Sequence, residues 1–463
     1  MLQNTTRIQN TTLFTAIVTS FLTTFTGSAL NLSVPGIEAE FASNAVTVGW
    51  IITIYTMSAA VFSVPFGKMA DVIGRRKVLL TGIIMFAAAS VACGMAPSIQ
   101  MLIIFRFIQG VGSACLFATN ISILVSVFPG SRRGEVLGIS TAATYIGLSV
   151  GPVAGGFLNG TFGWRSIFAV SVMIAVVALV MALSGVPKDS KNEEKQKTDV
   201  IGNLLYVIMV GVFLFGFSNL AEGYIGKLMT VSGVVLLIVF GIYEGKVSNP
   251  VIKPSMFTQD AVFTLSSIAA LLNYAATFAV TYLVSLYLQV AMDFSSRQAG
   301  LILIAMPFVQ ALITPKVGKL SDRVKPYKLA SGGMACCAAG LALFASIGVS
   351  GVLPFTIFSL LIMGLGFGLF SSPNTNAIMS RADKADYGVA NSIVSTMRTV
   401  GQSFSMALVN IIVTLNLGEK SLAETEPDEL VKTLRICFGV FLTLCVIGTF
   451  ISLKRGEEKE NDI

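Results

Sequence analysis

Apolar residues run along this chain in long blocks, and short polar connectors separate them. A helix that crosses a bilayer needs about 20 apolar residues. Blocks of this kind lie near 12–34, 46–66, 78–96, 99–128, 136–158, 166–185, 200–220, 226–243, 259–290, 297–317, 329–348, 352–379, 388–415 and 434–453. They predict fourteen transmembrane helices, an even number that puts both termini on one side. The 259–290 block is longer than a span requires, so its end is expected at the interface. Residues 1–11 are polar and carry only Arg7. The block after them exceeds a signal h-region and leads into further spans, which predicts a retained first helix rather than a cleaved signal.

The connectors give an orientation. One set carries Lys68, Arg75, Arg76 and Lys77, then Arg132 and Arg133, Lys188 to Lys197, Lys246 and Lys253, Lys319 to Lys328, Arg381 and Lys384, and Lys454 to Lys459. The opposite set carries only Arg165, Lys227, Arg297, Lys420 and Lys432. The positive-inside rule places the first set, and with it both termini, in the cytoplasm. The segment PKDSKNEEKQKTD is too charged to join a core. The expected layout is a six-helix bundle at 1–186, a linker at 187–199, an inserted helix pair at 200–245, a linker at 246–257, a second six-helix bundle at 258–455 and a tail at 456–463.

Composition agrees with a lipid-facing surface. The chain is 54% hydrophobic and 12% charged, where soluble domains carry roughly 25% charged residues. The net charge of +7 sits in the connectors, so it does not predict nucleic-acid binding. The six cysteines lie inside apolar blocks and form no C-x-x-C pair, which predicts small membrane residues rather than a metal site or disulfides. The chain has no histidine and no G-x-x-x-x-G-K-S/T loop. Histidine bases, histidine metal sites and ATP-driven transport are therefore excluded, and neither an enzyme nor a bound cofactor is expected.

The chain repeats itself. GKMADVIGRRKVLLTG begins at Gly67 and GKLSDRVKPYKLASGG at Gly318, each after the second span of a six-span set. An offset of 251 residues pairs Gly67 with Gly318, Lys68 with Lys319, Asp71 with Asp322 and Gly82 with Gly333. Two homologous halves are a common build among transporters, with the substrate site near the midplane.

Three motifs carry a family resemblance. Gly67 to Lys77 looks like motif A of the major facilitator superfamily, RFIQGVGSA (Arg106 to Ala114) is similar to motif B, and GLSVGPVAGG (Gly147 to Gly156) resembles the antiporter motif C. With fourteen spans, the chain resembles the fourteen-span drug:proton antiporter family of multidrug and tetracycline exporters. The resemblance implies an all-α membrane protein with the major facilitator fold: two six-helix bundles related by a pseudo-twofold axis, plus the inserted pair. It also implies a conformational gate at Gly67, Asp71, Gly74, Arg75 and Arg76, with Asp322 as the counterpart in the second half. A carboxylate such as Asp71 suits a helix N-terminus, and the arginines suit carboxylates or anionic headgroups; a topology anchor is the plainer alternative. Gly147, Gly151, Gly155 and Gly156, with Pro152, form a small-residue stripe that permits close backbone approach and a bend. The resemblance makes it a hinge against the opposite half; tight packing alone is the other reading.

Arg106 and Arg398 are charges inside apolar blocks and are expected to face the bundle interior with partners. The predicted substrate cavity is lined by Arg106, Thr26, Asn31, Asn120, Tyr145, Asn273, Asn374, Arg398 and Gln402, with Tyr55, Tyr274, Gln310 and Asn376 as further candidates. Each polar residue has an alternative as interhelical glue, worth about 0.6 kcal/mol.

One departure stands out. The family carries an aspartate in its first span; aligning Asn31 and Pro35 of TTFTGSALNLSVP puts Thr26 there. None of the 24 acidic residues falls in mid-membrane. Coupling then uses a carboxylate at a membrane edge, such as Asp71, Glu135 or Glu222, or another ion, or no ion. Two arginines without an embedded acid favour neutral or anionic amphiphiles over lipophilic cations; Asn120, Asn374 or Asn376 are alternative partners. The expected function is export of drugs or amphiphilic metabolites by alternating access, driven by H+, by a monomer spanning the cell membrane. The alternatives are an importer or uniporter of a small polar or anionic solute and a non-transporting receptor or scaffold.

Overall fold

The computed structural model describes residues 2–43, 45–187, 199–220, 223–348, 351–417 and 426–455. Residues 188–198 of the expected linker at 187–199, the expected tail at 456–463 and Glu222 lie outside them, as does the side chain of Asn31. Among the described residues there are helices and no strands. In the first part of the chain these are α1 (Leu2–Ala29), α2 (Val34–Phe41), α3 (Ala45–Ile73), α4 (Arg75–Gly94), α5 (Ile99–Val127), α6 (Arg133–Phe162) and α7 (Arg165–Gly185). Then come α8 (Val200–Ser218), α9 (Tyr224–Glu244) and the single turn α10 (Ser255–Thr258). The remainder holds α11 (Ala261–Thr277), α12 (Val280–Leu286), α13 (Ser296–Leu303), α14 (Ala305–Leu320), α15 (Pro326–Ala345), α16 (Leu353–Met379), α17 (Tyr387–Leu417) and α18 (Pro427–Lys454). Fourteen segments are long and apolar enough to cross a membrane.

Two elements differ from the hydropathy reading. The first helix starts at Leu2 rather than near residue 12. Its threonine hydroxyls are satisfied within the helix itself: Thr11 donates to the Arg7 carbonyl, Thr15 to Thr11 and Thr19 to Thr15, each at 2.8 Å. The 259–290 block is not one helix. The Ser405 hydroxyl accepts the Ala279 amide at 3.1 Å and interrupts the helical ladder. Beyond α12 the chain closes a π turn at Tyr287–Ala291.

The chain forms two compact units. One holds residues 1–211, 239–254 and 382–396; the other holds 212–238, 255–381 and 397–463. These units do not follow the expected bundle boundaries. Helices α8, α9 and α17 are each divided between them. Most of α9 is exposed and apolar, including Leu228, Val231, Val235 and Ile238, which suits lipid. Its last residue, Glu244, is buried, and Tyr206 of α8 bonds the Thr396 hydroxyl at 2.9 Å. The inserted segment is therefore not wholly peripheral.

The internal repeat recurs in packing. A Cβ on Gly82 would stand 2.5 Å from Cys115, and one on Gly333 would stand 2.6 Å from the backbone of Gly366. Both residues of the second pair lie 251 positions after those of the first. In each unit the same helix–helix crossing is kept close by a small residue.

Candidate functional site

In the first unit the GKMAD segment ends α3. Asp71 is almost wholly buried and accepts the Gly388 amide at 2.9 Å and the Val389 amide at 3.2 Å, both in the first turn of α17. Arg75 grips the same carboxylate at 2.8 Å and donates to the Lys384 carbonyl. Orphan amides at a helix start are a natural anion site. The turn depends on glycine: Gly74 has φ 115°, open to a residue without a Cβ. Gly67 and Gly388 touch so closely that a Cβ on Gly67 would lie 2.6 Å from the Gly388 carbonyl. Tyr387 receives the Arg133 guanidinium at 3.2 Å and lies under Arg75. Arg76 reaches the Leu183 carbonyl instead, at 2.8 Å. Thus Gly67, Asp71, Gly74 and Arg75 form one corner, Arg76 ties α4 to α7, and Asp322 occupies the corresponding turn of the second unit. Gly388 was not among the expected residues, because its only signal is a glycine at the start of a long apolar block.

Several polar side chains are buried inside this unit. Arg106 is fully buried. Its Nε donates to the Ile51 carbonyl at 3.0 Å, its Nη1 to Gln109 at 2.6 Å, and its plane lies 4.2 Å from the Tyr55 ring centroid. Gln109 passes the chain on to Ser90 at 2.7 Å. Among the described residues no acid takes part, and Asn120, one suggested partner, donates to the Ala16 carbonyl at 3.1 Å and to Ser20 at 2.6 Å. Asn120 thus joins α5 to α1. Tyr55 donates to the Thr23 carbonyl at 2.7 Å, and Thr26 pairs with Ser171 at 2.9 Å. The position where an aspartate was expected is a buried hydroxyl pair between α1 and α7. Tyr145 is buried on α6.

The glycine stripe lies against α1 of its own unit. A Cβ on Gly147, Gly151 or Gly155 would stand 2.2, 2.0 or 2.2 Å from Thr24, Ser28 or Ala29. Helix α6 continues through Pro152, with Gly156 partly buried beyond it.

In the second unit Asn273 is fully buried, and its amide makes no nitrogen–oxygen hydrogen bond among the described residues; the Cys337 thiol is its neighbour. Asn374 accepts from Arg455 at 2.6 Å. Arg455 also reaches Ser266 at 2.8 Å and Ser452 at 2.6 Å. Burial alone brings its guanidinium down to about 10. Asn376 donates to Ser321 at 3.2 Å, and Arg398 and Gln402 are half-buried on α17. Among the described residues no group of three or more Cys, Asp or Glu has the arrangement of a metal site.

Membrane-length helices in two repeated sets, with polar side chains buried inside each unit, define a polytopic membrane transporter. The Major Facilitator Superfamily model matches residues 16–406, and the chain belongs to that family. It is a transporter of small molecules and not an enzyme. Among its relatives, the riboflavin transporter RibZ of Clostridioides difficile (strain 630) is 26% identical over 94% of each chain. The multidrug resistance protein Stp of Mycobacterium tuberculosis (strain ATCC 25618 / H37Rv) is 28% identical over 91% of this chain and 80% of the relative. The puromycin resistance protein pur8 of Streptomyces alboniger is 26% identical over 86% and 80%. The crystal structure of the human organic anion transporter MFSD10 (TETRAN) superposes with a TM-score of 0.67 at 13% identity, over 96% of this chain and 99% of that one. The proton:xylose symporter XylE gives 0.66 at 14%, over 95% of each. At those identities the likeness shows the fold.

Proposed function

We propose that the protein exports drugs or amphiphilic metabolites across the cell membrane by alternating access, as a monomer with both termini cytoplasmic. Two relatives named for drug resistance span most of the chain. The observation that carries the reading is the Asp71 corner, where a family motif seats a carboxylate on the first turn of α17. Such a contact can be broken and remade as a unit, which is what a gate requires. The fully buried Asn273, its amide without an ordinary partner, supports a polar cavity, because an unsatisfied buried amide costs about 1–3 kcal/mol.

Protons are the proposed driving ion, although α1 carries Thr26 where the family keeps an acid. A second reading, an importer or uniporter of a small polar or anionic solute, is favoured by the relative named as a riboflavin transporter, which matches nearly the whole chain. One experiment separates the readings. Purified protein in liposomes is given a pH gradient, a sodium gradient or neither, with riboflavin, an acidic amphiphile or a lipophilic cation as substrate. Export that follows the pH gradient supports the first reading; gradient-independent flux of riboflavin supports the second. Selective loss of acidic-amphiphile transport in Arg106→Ala would support an anion preference, and loss of cation transport alone would defeat it.

A further inference from the structure

The connector between α7 and α8 and the end of α9 bring together two acids that no motif connects. Asp199 precedes α8 and accepts the Gly202 amide at 3.0 Å and the Tyr243 hydroxyl at 3.1 Å, both on Oδ1. Glu244 ends α9, is 2% exposed, and accepts the Ile252 amide at 2.9 Å on Oε2. The other oxygen of each carboxylate, Asp199 Oδ2 and Glu244 Oε1, is inaccessible to solvent, and among the described residues no donor reaches it. These two oxygens converge. They would stand 2.5 and 2.6 Å from the same point, the position of a Cβ on Gly202. The cation acting on Glu244 is Lys68 of α3, itself 4% exposed. Among the described residues the pair makes no ion pair within 4.0 Å.

The charges do not balance. Among the described residues, two carboxylates and one ammonium leave a net negative charge there, and Asp199 Oδ2 and Glu244 Oε1 remain without a donor. Removing a charge from water without compensation is costly, and two carboxylates that share a site cannot both ionise freely. A single proton corrects both defects: bound to one inner oxygen, it donates to the other and neutralises the excess charge. We propose that Asp199 and Glu244 form a proton-binding site at one membrane edge, the proton taken from water and held between Asp199 Oδ2 and Glu244 Oε1. Among the described residues, the groups facing the pair are Lys68 of α3, Tyr243 of α9, and the Gly202, Val251 and Ile252 amides. Gly202 belongs to the site because any side chain there would fill the space between the oxygens. The site stands whatever the protein carries and whichever way it carries it.

The test is infrared difference spectroscopy on the purified full-length protein in lipid nanodiscs, titrated from mildly acidic to alkaline pH. The expected result is a protonated-carboxyl C=O band at neutral pH that disappears on alkalinisation and is absent from both Asp199→Asn and Glu244→Gln. No titrating band, or a band unchanged in the variants, overturns the proposal. The thermal midpoint gives a second measurement if one variant fails to fold. A proton bound by the folded chain and not by the unfolded one lends stability at low pH that is lost as pH rises through the site's titration. The wild-type midpoint should fall with alkalinisation, and that of whichever variant folds should stay flat over the same range. Recovery of the alkaline midpoint by sodium, with no titrating band, would assign the site to a metal cation and overturn it.

Discussion

Lys68 and Asp71 stand in one GKMAD segment, yet they serve two corners of opposite character. At the Asp71 corner one carboxylate meets one guanidinium and two helix-start amides. Its charge is compensated and both of its oxygens have donors. At the Lys68 corner, among the described residues, one ammonium acts on Glu244 with Asp199 beside it, and two inner oxygens have no donor. A buried charge that is matched holds two elements in one arrangement; a surplus charge needs something from outside, and a proton is the smallest thing that fits. A single turn of α3 thus contributes to a mechanical contact and to a titratable one.

The sharpest way to break the comparison is Asp71→Ala. It leaves the Arg75 guanidinium and the first amides of α17 without their acceptor. Removing one partner of a buried ion pair costs roughly 3–5 kcal/mol, so the denaturation midpoint should fall clearly and liposome transport should be lost. Unchanged transport would mean that this corner is only a topology anchor. Asp71→Asn keeps an acceptor for one amide and should lose less.

Lys68→Met comes next. It strips the second corner of its cation and leaves two acids side by side, which should lower the denaturation midpoint most where both are ionised. That loss should shrink on acidification, because the pair can then take up protons. Adding Glu244→Gln to Lys68→Met should recover most of the midpoint, a coupling that a double-mutant cycle measures. Additive losses would separate Lys68 from the pair.

How far the sequence reveals these features depends on how local their cause is. Spans such as α7 and α16 are legible because apolar composition alone decides them. The early start of α1 is not, because hydropathy scores its polar first turns as loop, although threonine hydroxyls there are satisfied within the helix itself. The break after Thr277 depends on Ser405, far along the chain. Asp71 was legible because a motif surrounds it, whereas Gly388, which completes its contact, stands in no motif. Arg455 reads from sequence as a tail charge; its burial arises from Ser266 and Asn374 on two other helices. Asp199 and Glu244 each look like ordinary connector acids. An aspartate before an apolar block signals a helix cap, and that signal is correct, but nothing local shows that a second acid packs against it. The comparison with the family's first-span aspartate directs attention to mid-membrane, while the acid pair lies at the edge.

Gly202→Ala sharpens the second corner at smaller scale. A methyl group would meet both inner oxygens, and relief requires the carboxylates to part. Overpacking of this kind costs about 1–3 kcal/mol. The titrating carboxyl band should weaken while Asp71-dependent transport persists. Loss of transport with the band intact would mean that Gly202 matters for helix packing alone.

The smallest effect belongs to an exposed acid, which shows how much of the contrast comes from burial. Glu40 accepts from Trp164 at 2.7 Å and pairs with Arg165 at 2.6 Å, yet its side chain is 40% exposed. Partial desolvation raises its carboxyl, but the bonds from Trp164 and Arg165 outweigh it and hold the group below its ordinary range. Its stability contribution is therefore present at neutral pH and is lost as pH falls through its folded titration. Solvent screens such a pair to about 0.5 kcal/mol or less. Glu40→Gln should shift the midpoint only slightly at neutral pH, and the difference from wild type should vanish in acid. The Asp199–Glu244 pair must show the opposite trend, losing stability as pH rises; the same direction at both places would mean that burial and surplus charge do not separate them.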